Sequence, residues 1–293
     1  MEVSIVAKRL WVLLFVTPCL LMFIVFIGIP LVNVTWTSFA DYTTFSPPIL
    51  SGLGNYRELL HDRSFWQAFQ NTLLWVLMQC TVGVSVGCIV ALLLFRKPFG
   101  WKFFRAVYMI PSIIPTVATG IMFYLLLNPE LGIIKPLQYL AGPHSPAINP
   151  FGNSSYAFWA LTLTWLFYSA VSTIIIMAEL GTISDALLEA AKIDGATRFQ
   201  IDLHILLPLL RNILGTCVIL AAVGMITQFD TIYVTTRGGP GSSTLNLSVF
   251  LYNTATLDNN YGLANAISVV QILVGLILVL LIGRAFKLGD SHG

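Results

Sequence analysis

The second half of this chain is apolar except for residues 189–208, EAAKIDGATRFQIDLHILLP, and the chemistry those residues offer is recognition rather than catalysis. Glu189 presents an anion suited to a basic partner, while Ala190, Ala191 and Gly195 are small enough for another backbone to approach closely. An ordinary solvated loop would fit the same spacing. A second set of polar groups lies inside apolar runs. Gly224, Thr227, Gln228 and Thr231 follow i, i+3, i+4, i+7, one face of a continuous helix, with Asp230 beside them. Thr162, Trp165, Ser169 and Thr173 make a comparable face. Hydroxyl, amide and indole groups suit a sugar or polyol, whose hydroxyls need hydrogen bonds and whose C–H faces stack on rings. The same residue types also hold apolar helices together in lipid, so the spacing leaves both roles open.

Catalytic motifs are missing. The sequence has no G-x-x-x-x-G-K-[ST] loop to cradle phosphates, no H-E-x-x-H, no nucleophile elbow and no Cys/His cluster. His61, His144, His204 and His292 are scattered, and Cys19, Cys80, Cys88 and Cys217 sit in apolar stretches without C-x-x-C spacing, as packing residues do. No catalytic residue, cofactor or metal is expected, and any ATP-driven step belongs to another polypeptide.

The elements that must position these groups are membrane helices. Of 293 residues, 57% are hydrophobic and only 10% charged, against about a quarter charged in soluble domains, and the mean hydropathy is +0.83. A net charge of +2 without a basic tract gives no reason to expect nucleic acid. Runs near 10–32, 71–95, 106–127, 156–178, 212–234 and 263–283 can each cross about 30 Å of hydrocarbon, and lipid requires all to be helical. The expectation is one all-α polytopic domain, 1–293, of six transmembrane helices. The first run is too long for a signal-peptide core and lacks a small-residue cleavage site, so it should remain as a span.

Lys8, Arg9, Arg96, Lys97, Lys102, Arg105, Lys192, Arg198, Arg211, Arg284 and Lys287 fall on one side of these runs, and Arg57, Arg63, Lys135 and Arg237 on the other. The positive-inside rule then places both termini and residues 182–211 in the cytoplasm. Trp11 and Trp101 mark the inner boundary, and Trp36, Trp66 and Trp159 the outer one.

Local signals refine the picture. Ser184 can cap a helix that Gly195 stops in the left-handed conformation. Thr197 and Gln200 fit a capping box for a second helix ending at Pro208. Pro111 and Pro115 should bend the third run. Residues 55–70 could form a short surface helix, and 132–140 a half-helix within a loop that also holds Pro129, Gly142, Pro143, Pro146 and Pro150. Residues 153–155 read as an accidental glycosylation sequon. Arg237, Gly238, Gly239, Pro240 and Gly241 read as a flexible outer turn.

Glu189, Ala190, Ala191, Gly195, Ile205, Leu207 and Pro208, at their spacing, resemble the EAA loop of the inner-membrane permease subunits of binding-protein-dependent ABC importers. Residues 228–268, with QFDTIYVTTRGGP, LNLSVFLYNTA and YGLANAIS, resemble the C-terminal half of the sugar-type permeases related to the maltose and glycerol phosphate systems. Residues 110–134, IPSIIPTVATGIMFYLLLNPELGII, resemble their third span and following loop. The resemblance implies a type I ABC importer permease fold in a bacterial inner membrane, with 182–211 as the coupling loop and Glu189 and Gly195 as coupling residues. It implies a second homologous permease, two cytoplasmic ATPase subunits and an extracytoplasmic solute-binding protein. The implied solute is a sugar, oligosaccharide, polyol or glycerol phosphate, and Gly238, Gly239 and Pro240 would lie near the binding protein or the path. An ion-coupled secondary transporter is the alternative. That would call for ionisable groups at mid-membrane, whereas Glu179, Asp185, Glu189, Asp194, Asp202 and Asp230 cluster at span ends or in loops.

Overall fold

In hydrocarbon a backbone must satisfy its own hydrogen bonds, and the apolar runs accordingly coil. The computed structural model describes residues 5–141, 148–166 and 169–289. Helix α1 runs over Ile5–Phe23, through a π turn at Ile24–Gly28, into Ile29–Thr37. Strands β1 (Ala40–Thr43) and β2 (Ser46–Leu50) follow, then α2 (Gly54–His61) and α3 (Arg63–Phe95, with a π turn at Gln79–Gly83). Next come α4 (Trp101–Ile113), α5 (Thr116–Leu126), α6 (Ile134–Ala141), α7 (Ser154–Leu163), α8 (Ala170–Leu180) and α9 (Asp185–Ile193). Helix α10 is composite, passing from Arg198–Ile201 through a π turn at Asp202–Leu206 into Leu207–Leu209. The chain ends with α11 (Arg211–Ile226), α12 (Asp230–Thr235), α13 (Leu247–Thr256) and α14 (Tyr261–Phe286).

Among the described residues, four runs are long and apolar enough to span a bilayer: Trp11–Thr37, α3, Arg211–Thr235 and α14. Two bent pairs, α4 with α5 at 98° and α8 with α9 at 79°, raise the number to as many as six.

Several spans differ from the continuous helices expected. The run expected at 106–127 breaks at Ile114, whose φ of −77° and ψ of 129° are the extended geometry that a following proline imposes. The run expected at 156–178 is interrupted between Leu163 and Ala170 with no proline or glycine there, and Phe167 and Tyr168 lie outside the described residues. Here packing wins: buried Trp75 stacks on Phe158 at 4.8 Å and meets Trp165 edge-on at 5.4 Å. The run expected at 212–234 ends at Ile226 and restarts at Asp230. Residues 55–70 divide between α2 and the start of α3, which begins at Arg63 rather than 71. The expected half-helix is α6. Gly142, Pro143, His144 and Pro146, expected in turns or scattered loops, lie outside the described residues, as does His292. Asn153 caps α7 by accepting from the Ser155 amide at 2.9 Å.

The chain divides into two compact units. In the first, Met1–Asp62 with Leu251–Ile272, the helical pattern gives way to a small antiparallel hairpin pairing Ala40 with Leu50 and Asp41 with Ile49. Buried Asn55 secures it, donating to the carbonyls of Ser38 and Ala40 at 2.9 Å each. Gly262 passes so close to the Ala40 carbonyl that a Cβ there would collide with it.

In the second unit, Arg63–Phe250 with Leu273–Gly293, the helices that carry the candidate sites share one apolar core. Val84, Cys88 and Ala91 of α3, Ile176 and Leu180 of α8, Ile201 and Leu206 of α10, Leu210, and Cys217 of α11 form it. Gly87 lets α3 and α8 meet at backbone distance: a Cβ there would lie 3.0–3.2 Å from Ser172, Ser169 and the Ser169 carbonyl, and Thr173 donates to the Gly87 carbonyl at 3.1 Å.

Candidate functional site

The polar interval folds as two short helices with a rigid corner. Ser184 occupies the N-cap position of α9 in extended geometry, but its hydroxyl makes no capping bond, contrary to expectation; Asp185 in the first turn and Lys192 in the last complement the helix dipole instead. The helix stops in a Schellman arrangement. The Ala196 amide donates to the Ala191 carbonyl and the Gly195 amide to that of Lys192, both at 3.0 Å, with Gly195 at φ +81°. Thr197 and Gln200 then form the expected reciprocal capping box. Pro208 does not end the second helix, which runs on to Leu209.

This corner has a fixed side and a free side. Leu188, Ala191, Ala196 and Leu207 pack against the apolar core, and Ile201, Leu206 and Leu210 belong to it. The Arg96 guanidinium at the end of α3 pairs with Asp202 and donates to the Arg198 carbonyl at 3.1 Å. Facing out are Glu189, Ala190, Gly195 and Pro208, flanked by Ile193 (86% exposed) and Phe199 (72%). A Cβ at Gly195 would have nothing within 4 Å. Of the small residues expected to admit a partner's backbone, Ala190 and Gly195 are open, whereas Ala191 turns onto the core; Ile205 is half-buried.

The second site is a cavity of about 300 Å³ lined by Gln79, Trp165, Ser169, Gly224 and Gln228 among others. The polar residues do not form the two continuous faces that spacing implied, because both helices break. Trp165, Ser169, Gly224 and Gln228 converge on the cavity; Thr162, Thr227, Asp230 and Thr231 are not among its lining residues. Thr162 is buried, accepting from the Trp75 indole N–H at 2.8 Å. Thr227 bonds back to the Val223 carbonyl at 3.0 Å. Asp230, at the start of α12, accepts from the Thr116 hydroxyl, and buried Thr231 accepts from the Gln228 amide at 3.0 Å.

Three interruptions of helical backbone meet here: the π turn that begins at Gln79, the break carrying Trp165 and Ser169, and the break carrying Gln228. Their carbonyls are met from elsewhere in the fold. Ser169 donates to the Gly83 carbonyl, Asn246 to that of Gln228, and Ser248 to that of Ile226. Gln79 Oε1 is the exception, buried without a hydrogen-bond partner among the described residues. Sequence reasoning passed over Gln79, although an amide in the middle of the apolar run 71–95 was a signal.

The outer turn is held rather than flexible. Gly238 is buried, and Thr244 donates to the Gly239 carbonyl at 2.8 Å and bonds the Thr236 hydroxyl at 2.7 Å. Buried Asn71 donates to the carbonyls of Leu245 at 2.8 Å and Ser243 at 3.2 Å. Asn71→Ala leaves those carbonyls without a donor at a cost of about 1–3 kcal/mol. Limited proteolysis should then cut residues 237–245 faster than in the parent protein.

Comparison with known proteins places this geometry. A family model described as binding-protein-dependent transport system inner membrane component matches residues 83–288. The trehalose/maltose transport system permease protein MalF of Thermococcus litoralis is 32% identical over 277 residues, 92% of this chain and 92% of that protein. The multiple sugar-binding transport system permease protein MsmF of Streptococcus mutans is 29% identical, covering 98% of this chain and 99% of its own. Among solved structures, a chain of a bacterial alginate ABC transporter, in complex with an alginate pentasaccharide-bound periplasmic protein, matches with a TM-score of 0.83 at 19% identity, over 96% of this chain and 97% of that one. At that identity the likeness is one of fold.

Proposed function

This chain belongs to the family of binding-protein-dependent transport system inner membrane components, and from that premise we propose that it forms half of the translocation path of an ATP-binding-cassette importer for a carbohydrate-class solute. A second, homologous permease supplies the other half. Two cytoplasmic ATPase subunits grip the corner of α9 and α10, and an extracytoplasmic binding protein delivers the solute near Gly238, Gly239 and Pro240. Both termini and the α9–α10 corner face the cytoplasm, as the distribution of lysine and arginine requires.

The observation that carries the solute route is the meeting of three backbone interruptions at one cavity. Irregular backbone at membrane depth persists only where protein or a water-filled cavity meets its polar groups, and broken helices of this kind build the binding sites of membrane transporters. Gln79 lines the cavity, and a turn of its side chain would bring the unmatched Oε1 out to accept from a solute hydroxyl; the Trp165 indole offers a ring face, and Ser169 and Gln228 add hydrogen-bonding groups. The names of the sugar-system relatives agree with that chemistry.

Force enters at the other site. Closure of an ATPase pair moves α9, and because α9 and α10 are seated on the core shared by α3, α8 and α11, the movement passes into the helices around the cavity as a rigid-body shift.

The direct test is purification of the tagged chain from its native membrane followed by reconstitution. An ATPase should co-purify, and vesicles should accumulate solute only when nucleotide is supplied on the side of the α9–α10 corner. Accumulation by this polypeptide alone, without nucleotide, overturns the reading. Within the cavity, Gln79→Leu and Gln228→Ala should each weaken apparent solute affinity about threefold to tenfold, the worth of one hydrogen bond. Gln79→Leu should do so with no loss of thermal stability, since it removes an acceptor that has no partner among the described residues. Unchanged uptake kinetics would return either residue to helix packing.

A further inference from the structure

A cleft of about 350 Å³ opens where the end of α3 meets the α9–α10 corner, and its charges are unbalanced. Arg96, Lys97, Lys192 and Arg198 line it against two carboxylates, Asp185 and Asp202. Asp202 is committed to Arg96. Among the described residues, Lys97, Lys192 and Arg198 enter no ion pair. Three cations therefore converge on the cleft with only Asp185 uncommitted beside them, a field that favours an anion.

The position of the cleft selects the anion. Phe95, the last residue of the apolar helix α3, forms part of the wall, so the cleft begins where that helix leaves hydrocarbon. Immediately after it, α4 carries the signature of a membrane interface. Lys102 lies 5.9 Å above the Trp101 ring, Arg105 follows, and Phe103 (69% exposed) and Phe104 (60%) are bare. A phosphate at this depth comes with acyl chains, and basic pockets between membrane helices near the cytoplasmic surface suit anionic headgroups.

We propose that the cleft binds the phosphate of an anionic phospholipid, which bridges the end of α3 to Lys192 and Arg198 and steadies the α9–α10 corner. Membrane composition would thereby regulate the coupling described above. The cytoplasmic placement and the coupling rest on that reading; the binding itself does not, so it is measured apart from transport.

The complete importer is reconstituted in nanodiscs of phosphatidylcholine alone or mixed with phosphatidylglycerol, and lipids retained after extraction are counted by native mass spectrometry. The parent complex should retain phosphatidylglycerol over phosphatidylcholine. K192Q with R198Q should lower that retention about tenfold or more, each cation near the membrane surface being worth roughly a factor of five. The distant K135Q should leave it unchanged. If the double variant fails to assemble, K97Q reads the loss singly, at about fivefold. Phosphatidylglycerol should also raise solute-stimulated ATPase activity in the parent and not in the double variant. Equal retention of both lipids by the parent overturns the proposal. So does the same activation by inorganic phosphate in phosphatidylcholine nanodiscs, which would assign the cleft to a soluble anion. Selective retention without any nucleotide-driven uptake would leave the lipid site standing and sink the importer reading.

Discussion

Glu189→Lys combined with Gly195→Trp should abolish solute uptake and solute-stimulated ATPase activity in a protein that still inserts and folds. Both side chains point away from the core. No atom lies within 4 Å of a Cβ built at Gly195, so a side chain can leave this position without a clash at its first carbon. The cost within the chain is the left-handed backbone at φ +81°, about 1–2 kcal/mol for a residue with a Cβ. The cost to docking is larger. Reversing the charge of Glu189 on the outward face and raising a bulky ring at Gly195 converts attraction into repulsion and a clash, a loss of roughly 2–5 kcal/mol when a charge pair at an interface is broken. That is about thirtyfold or more in affinity for the ATPase. The measurement is uptake and ATPase activity in reconstituted vesicles beside the amount of inserted protein. Full activity in the double variant removes the corner from the coupling path. Loss of insertion would be read against Ile193→Ser, which alters only an outward apolar side chain and should insert normally.

The second large effect is expected at Gly87. Gly87→Leu forces a branched side chain between α3 and α8, where even a Cβ would sit 3.0–3.2 Å from two serine β-carbons and a backbone carbonyl. Overpacking of this kind costs about 1–3 kcal/mol or more, and it also threatens the bond from Thr173 to the Gly87 carbonyl. The helices must separate, and with them the core seating the α9–α10 corner. The variant should show reduced thermal stability in detergent and little uptake. Gly83→Ala makes the contrast. The three atoms nearest its Cβ all belong to the amide of Gln79, from 2.7 Å, and a flexible side chain can move. Gly83→Ala should therefore fold normally and change solute affinity, because the amide it displaces lines the cavity. Equal stability of Gly87→Leu and the parent protein would show that α3 and α8 are not held at this contact.

Much of the molecule is written in short-range terms. Composition and run length determine that the chain is a bundle of membrane helices, because apolar runs of about 20 residues cross hydrocarbon as helices that satisfy their own backbone. Spacing within residues 184–200 sets the α9–α10 corner: the capping box, the left-handed Gly195 and the dipole-matched ends each depend on groups no more than a few positions apart. Pro115 likewise fixes the break between α4 and α5 through the residue before it.

The tertiary structure alone decided where the polar side chains go. Periodicity put Gly224, Thr227, Gln228 and Thr231 on one face, yet Asn246 and Ser248 capture the carbonyls released by a break at 227–229 and only Gly224 and Gln228 reach the cavity. Thr162 is claimed by Trp75, 87 positions away. The outer turn reads as flexible from its glycines, but Asn71 holds it from 174 positions away. The capping box joins Thr197 to Gln200, three positions away, so sequence reveals it, whereas Ser184 holds its cap position without the capping bond. A buried amide or hydroxyl is chosen by whichever unmatched group the folded chain brings within about 3 Å, and that partner exists only once the helices have packed.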